Sequence, residues 1–110
     1  MTNNPFKKLI FCELCNKPMR LIKDRKNIKY ICQTYSRSGG RECLRNPIEY
    51  ELLIDLITNH YQIHNKELIL ENEHLRKDIY RLLINNGSIE IEFKNLPNII
   101  VKENIYSHIE

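Results

Sequence analysis

The sequence predicts an α+β fold in three parts. A small cysteine-stapled β-ribbon takes residues 1–46, a long helical segment takes 47–85, and a short C-terminal β-hairpin with its tail takes 86–110. Three observations predict this. Cys12, Cys15, Cys32 and Cys43 are all the cysteines of the chain, and all lie in the first part. Apolar residues shift to helical offsets after Asn46-Pro47. Strict alternation of apolar and polar residues then returns at 88–94, SIEIEFK.

Each element follows in order. Residues 7–11 read as a brief apolar strand, and 12–15 (CELC) as a tight turn. Residues 19–23 and 28–33 read as strands joined by the polar turn 24–27. Residues 34–41 form a loop with Gly39-Gly40 at its tip, leading into Cys43. Asn46 is then a helix N-cap, Pro47 the first helical residue, and Glu49 and Glu51 suit the first turn. Ile48, Leu52, Leu53, Leu56 and Ile57 keep helical offsets, and neither Gly nor Pro intervenes before Gly87. An unbroken helix over 47–85 would span about 58 Å, so a break or projection is expected near 62–65, where the periodicity weakens. From Tyr61 a 4-3 spacing runs through Asn65, Leu68, Asn72, Leu75, Ile79 and Leu82. It fits a short coiled coil whose partner-binding side chains are Leu68, Leu75, Ile79 and Leu82. The alternative is an amphipathic helix packed on its own domain. Asn85-Asn86-Gly87 ends the helix. The strand at 88–94 turns at 96–98 and pairs with 99–101, and 103–110 reads as a weak helical or frayed tail.

With 110 residues there is room for one ordinary domain, or a small domain with an appended helix. A composition of 42% hydrophobic and 28% charged residues is that of a globular chain, and no apolar run is long enough to span a membrane. The first ten residues lack the apolar core of a signal peptide, so the expected location is cytoplasmic. The net charge of +3 hides an asymmetry. Residues 1–46 hold eleven basic and three acidic residues, a net of +8, while 47–110 hold six and eleven, a net of −5. The first part suits a polyanion.

The cysteines carry the sharpest chemistry. Their pattern is C-x2-C, sixteen residues, C, ten residues, C. Reduced thiols in a cytosolic chain argue against a disulfide framework. Zn²⁺ takes four thiolates on a tetrahedron, and a C-x-x-C turn offers two to one ion. Four cysteines leave no open position for water, so the expected cofactor is one structural Zn²⁺ on Cys12, Cys15, Cys32 and Cys43. A redox C-x-x-C is the competing reading, but no βαβ pattern surrounds it. Residues 1–46 also hold few large apolar side chains, and a bound metal contributes on the order of 10 kcal/mol of folding free energy. Elsewhere, His60 and His64 stand one helical turn apart without further ligands, and Glu71, Glu73 and Asp78 lie among Lys and Arg; all read as solvated helix faces. Tyr30 reads as packing against the thin ribbon core, and Tyr35 as either packing or a base contact.

Residues 4–12 (NPFKKLIFC), Cys15, Met19, Tyr30-Ile31-Cys32, Gly40 and Cys43 resemble the zinc β-ribbon of large serine recombinases. The likeness covers about residues 4–57. Asn16 replaces a Gly often found beside the second Cys, and Asn tolerates the same left-handed backbone. The stretch after the ribbon is too short for that family's full coiled coil. The family's catalytic serine sits in a separate N-terminal resolvase domain, to which nothing here corresponds. The resemblance therefore implies a non-catalytic accessory module that binds double-stranded DNA. Arg20, Lys23, Arg25, Lys26 and Lys29 flank the expected hairpin, and Arg37, Arg41 and Arg45 sit on the loop beside it. These eight are the expected DNA-binding residues, most of them toward phosphate. The alternative function is a protein-interaction module that regulates a recombinase, or pairs with a second copy, through its helix. A fragment of a recombinase gene would read the same way.

Overall fold

The hairpin that begins the fold is built by alternation. In a computed structural model, which describes residues 4–102, β2 (Met19–Asp24) pairs antiparallel with β3 (Asn27–Cys32) from Met19 opposite Cys32 to Asp24 opposite Asn27. Met19, Tyr30 and Cys32 turn inward and are buried, whereas Arg20 and Lys29 occupy the other face. The two-residue turn puts Arg25 at φ +61°, a conformation that costs a non-glycine residue roughly 1–2 kcal/mol. A short strand, β4 (Ile48–Glu49), adds to the far side of β3, completing a three-stranded sheet in the order β2-β3-β4. Between β3 and β4, helix α1 (Gln33–Ser38) ends on the left-handed Gly39.

The second sheet draws on both ends of the sequence. Its first strand, β1 (Ile10–Cys12), runs parallel to β5 (Ile79–Asn85), with Ile10 opposite Leu82 and Cys12 opposite Ile84. A tight turn at Asn86-Gly87, both at positive φ, leads into β6 (Ser88–Phe93), and β7 (Ile99–Val101) closes the order β1-β5-β6-β7. Ile89, Ile91 and Phe93 alternate into the core, as period-2 patterning requires. Helix α2 (Tyr50–Ile63) contributes Leu53, Ile57 and Tyr61, spaced by four, to the same core. The buried cluster is continuous from Phe6 to Phe93.

The expectation of a long helix followed by a separate hairpin is overturned. Among the described residues there are seven strands in two sheets and three helices, the longest α2 with 14 residues. A straight helix over 47–85 would also exceed the longest extent of the molecule, 43 Å. Three physical reasons account for the difference. Asn46 is not an N-cap: it sits at φ +52°, 3% exposed, and the chain passes through β4 before α2 begins at Tyr50. Asn65 takes φ +53°, just past the end of α2. Then, after α3 (Asn72–Asp78), the run from Ile79 to Ile84 forms β5, as β-branched and aromatic residues beside Leu favour.

The coiled-coil seam fails with the long helix. Leu68 lies in the segment between α2 and α3, and Leu75, on α3, is 1% exposed. Ile79 and Leu82, on β5, are fully buried. Core residues produce the 4-3 spacing, so these four side chains offer no helical partner face. The strand at 88–94 does pair with 99–101, but as the outer part of a four-stranded sheet and not as a free-standing hairpin. The expected tail at 103–110 lies outside the described residues. No helix of the described residues is long and apolar enough to cross a membrane.

The strain at Arg25 generates a stability test. Arg25→Gly removes the left-handed penalty of roughly 1–2 kcal/mol and adds chain entropy worth roughly 0.5–1 kcal/mol. The urea midpoint of the zinc-loaded protein should therefore rise slightly. Arg25→Ala, which removes the same charge but keeps the strain, should give no rise.

Candidate functional site

Two turns and one strand end converge on the cysteine site. The first turn leaves β1 at Cys12 and closes through Asn16, whose N–H donates to the Cys12 carbonyl at 2.7 Å while its backbone sits at φ +62°. Asn16 thus adopts the left-handed conformation that a residue at this position requires. Cys32 ends β3, and its N–H donates to the Arg45 carbonyl at 2.9 Å, which draws the loop carrying Cys43 against the hairpin. The four sulfurs all lie within 4.8 Å of one another.

The residues present fit zinc. Thiolates held at about 2.3 Å on a tetrahedron lie about 3.8 Å apart. Cys12 Sγ and Cys43 Sγ are 3.8 Å apart, and Cys15 Sγ and Cys32 Sγ 3.5 Å. All four cysteines are free thiols. Burial raises the Cys15 thiol, but hydrogen bonds from Thr34, the Lys17 backbone and neighbouring thiols bring it down to about 7. Burial, and then crowding by the other three thiols, pushes Cys43 up to about 12, and burial raises Cys32 as well. Four thiols this close cannot all ionise without a cation among them, and a thiophilic divalent ion supplies that charge. The chain therefore carries one structural zinc site. With four thiolates as ligands, a zinc ion held there keeps no open position for water.

Asn46 was missed as part of this site. Its Nδ2 donates to Cys12 Sγ at 3.1 Å and to the Ile84 carbonyl at 2.7 Å, while its Oδ1 accepts from the Asn86 N–H at 2.6 Å. One buried carboxamide thus orients a ligand sulfur and holds the β5–β6 turn. In the sequence, Asn before Pro reads as a helix cap, and no local signal reveals a partner forty residues away.

The eight basic residues expected to meet DNA do not form one patch. Arg20 donates to Ser36 Oγ at 3.0 Å, and Arg41 donates to the Ser38 carbonyl at 3.2 Å. Arg20 lines a cleft of about 470 Å³ with Lys7, Lys8 and Gln33. Arg37 and Arg41 line an adjoining cleft of about 380 Å³ with Lys17 and Gln33. Gln33, at the start of α1, borders both. Lys23, Arg25 and Lys26 lie at the other end of the hairpin, and Lys26 lines a small recess with Glu49 and Glu51. Lys29 stands opposite Glu49 across β3 and β4, and Arg45 is 3.8 Å from Asp24. Lys7, Lys8 and Lys17 line these clefts and flank the C-x-x-C turn but are not among the eight; their signal in the sequence is the charge tally alone. Tyr30 is fully buried and donates to Asn4 Oδ1, and Tyr35 packs against the core, its ring 3.3 Å from where a Cβ on Gly40 would lie. His60 stacks on Phe93 and meets the Pro97 carbonyl at 2.8 Å, with His64 beside it.

A family model described as the recombinase zinc beta ribbon domain matches residues 5–62. No curated protein matches the chain. A solved structure described as "Sequence Requirements of the Listeria innocua prophage attP site" shares the fold with a TM-score of 0.59 at 17% identity. The likeness covers 84% of this chain and 44% of that one, so this chain spans less than half of that protein's length.

The site geometry sets two expectations. Purified protein should contain one zinc per chain by metal analysis, and Cys32→Ser should lose the metal and the hairpin while circular dichroism still reports helix. Asn46→Asp keeps the shape but puts a carboxylate, which cannot donate, against a thiolate and a carbonyl. It should weaken zinc retention against a competing chelator by about 10–100-fold, whereas Asn86→Ala should leave retention near that of the parent.

Proposed function

Since the chain belongs to the recombinase zinc beta ribbon family, we propose that it is a DNA-binding accessory module that performs no strand chemistry of its own. The observation that carries this reading is the pair of joined clefts around Gln33. Lys7, Lys8, Lys17, Arg20, Arg37 and Arg41 line them, with Glu42 the one acidic residue of the lining. Cationic side chains spaced along a groove suit a phosphate backbone, where each contact releases a counterion. Gln33 offers a side-chain amide at the junction, the group that pairs with the N6 and N7 positions of adenine. The zinc site supports this surface structurally. Cys15 and Cys32 bracket the β2–β3 hairpin that carries Arg20, and Cys43 anchors the far end of the loop that carries Arg41.

In this reading the clefts carry the main contact and the hairpin tip a minor one, because Lys26, Lys29 and Arg45 each have an acid nearby. Phosphate contacts give most of the affinity, so sequence preference is modest and rests on the few side chains that reach base edges.

The test is a salt titration of duplex binding by the zinc-loaded protein. Binding should weaken steeply as salt rises. Combined Lys17→Glu, Arg20→Glu and Arg37→Glu changes should lower the magnitude of the log–log salt slope by about 3. Arg25→Glu with Lys26→Glu should change it less, and Lys66→Glu with Lys77→Glu hardly at all. Equal losses from every set would place the contact elsewhere, and no duplex binding at low salt would remove the DNA reading.

A further inference from the structure

The sheet β1-β5-β6-β7 buries one face in the core, while the other meets solvent at its edges around Leu83, which its neighbours leave 9% exposed. Register puts Phe11, Leu83, Glu90 and Ile100 in one row across this outer face. The irregularity between Ile79 and Arg81 adds Tyr80 near the same face, with the Arg81 guanidinium 5.4 Å from its ring centre. Tyr80 is 60% exposed and Ile100 63%. Both are large apolar side chains at solvent positions of strands, where alternation would otherwise place polar residues.

Two recesses lie side by side on this face and share Leu83. One, of about 340 Å³, holds Phe11 and Tyr80 with Lys8 and Arg81. The other, of about 250 Å³, holds Ile100 with Glu13, Glu90 and Lys102. With Glu92, which accepts from Arg81 at 2.8 Å, the face carries three acids and three bases, divided so that one recess is basic and the other acidic on balance. A polyanion gains nothing from a face of zero net charge. A surface whose basic and acidic halves lie either side of one apolar residue is complementary to itself, which is the requirement of an isologous twofold contact.

We propose that this face binds a second copy of the chain, related by a twofold axis passing through the contact near Leu83. Ile100 of each copy then approaches the Tyr80 recess of the other, and Lys8 of each faces Glu90 of the other. Four strands at about 4.8 Å and five residues at about 3.4 Å give a patch on the order of 20 by 17 Å. That is well below the roughly 800 Å² a side of stable complexes, so the dimer is weak and reversible. The contact meets the DNA reading at Lys8 alone, which also lines the first cleft; Tyr80, Leu83 and Ile100 line neither, and the test below is made without DNA.

Sedimentation equilibrium of the full zinc-loaded chain, without DNA, tests this. The parent should show concentration-dependent dimerisation. Ile100→Arg, and separately Lys8→Glu or Glu90→Lys, should raise the dimer dissociation constant at least about tenfold. Zinc content and circular dichroism should stay at parental values. The decisive arm mixes the two charge variants in equal amounts. In the mixed pair, the glutamate introduced in one variant meets the lysine introduced in the other at one end of the contact. At the other end the unchanged Glu90 of the first meets the unchanged Lys8 of the second. The mixture should therefore recover association that neither variant has alone. A parent that stays monomeric at all concentrations, as it would if residues 103–110 occupied the face, overturns the proposal. So does association that ignores these substitutions, or a mixture that fails to recover it.

Discussion

The side-chain amide of Asn46 is where the two sheets meet. It reaches a zinc-ligand sulfur on one side, a β5 carbonyl on another, and the β5–β6 turn through its oxygen. All three partners are buried or partly buried, and each would be left with an unmet hydrogen bond if the amide moved. Its backbone stands in the left-handed region at the same time, which sets the direction in which the chain leaves the cysteine loop for β4. The cysteine cluster, the first sheet and the second sheet therefore share one orientation. Around this point the aromatic group of Phe6, Tyr30 and Tyr50, with ring centres 6.0–6.4 Å apart, fills the space between the hairpin and α2.

How much of this was legible in the sequence depended on whether the signal was chemical, local or distant. The zinc ligands were legible because the residue type itself carries the chemistry and because C-x-x-C defines a local turn. The strand β6 was legible because Ile89, Ile91 and Phe93 alternate without interruption. The helix at 50–63 was legible as a periodicity, though not its start, because Asn46-Pro47 imitates a cap that a distant turn has already claimed. The stretch from Leu68 to Leu82 was misread for a different reason. A segment that loops, makes two turns of helix and then enters a strand can bury its apolar residues at intervals of three and four by coincidence. Seven residues of β5 are too few for period 2 to outweigh that pattern, the more so because Leu82, Leu83 and Ile84 are buried in succession. Parallel pairing of β1 with β5, between residues more than seventy positions apart, has no local sequence signal.

The basic surface shows the same division. Charge counting pointed to one half of the chain but could not say which cations face one another. Strand alternation, the fold of α1 beside the hairpin, and acids such as Asp24 and Glu49 sort the eleven basic residues of that half into a groove and a margin. Lys7 and Lys8 join the groove because Phe6, fully buried, pins the segment that carries them.

The pairing of β1 with β5 also has a consequence in time. On the ribosome the last cysteine of the cluster is made about forty residues before Ile84, an interval of about 2–8 s at usual elongation rates. Throughout it, Ile10 and Cys12 have no neighbouring strand on the side that β5 will occupy, and the carboxamide of Asn46 has neither its carbonyl nor its turn. The four thiols can take up metal once Cys43 has left the exit tunnel, and the same interval then passes before Ile84 emerges. Zinc then acts as a placeholder, keeping the nascent first strand in position until the strand that completes its sheet has been synthesised.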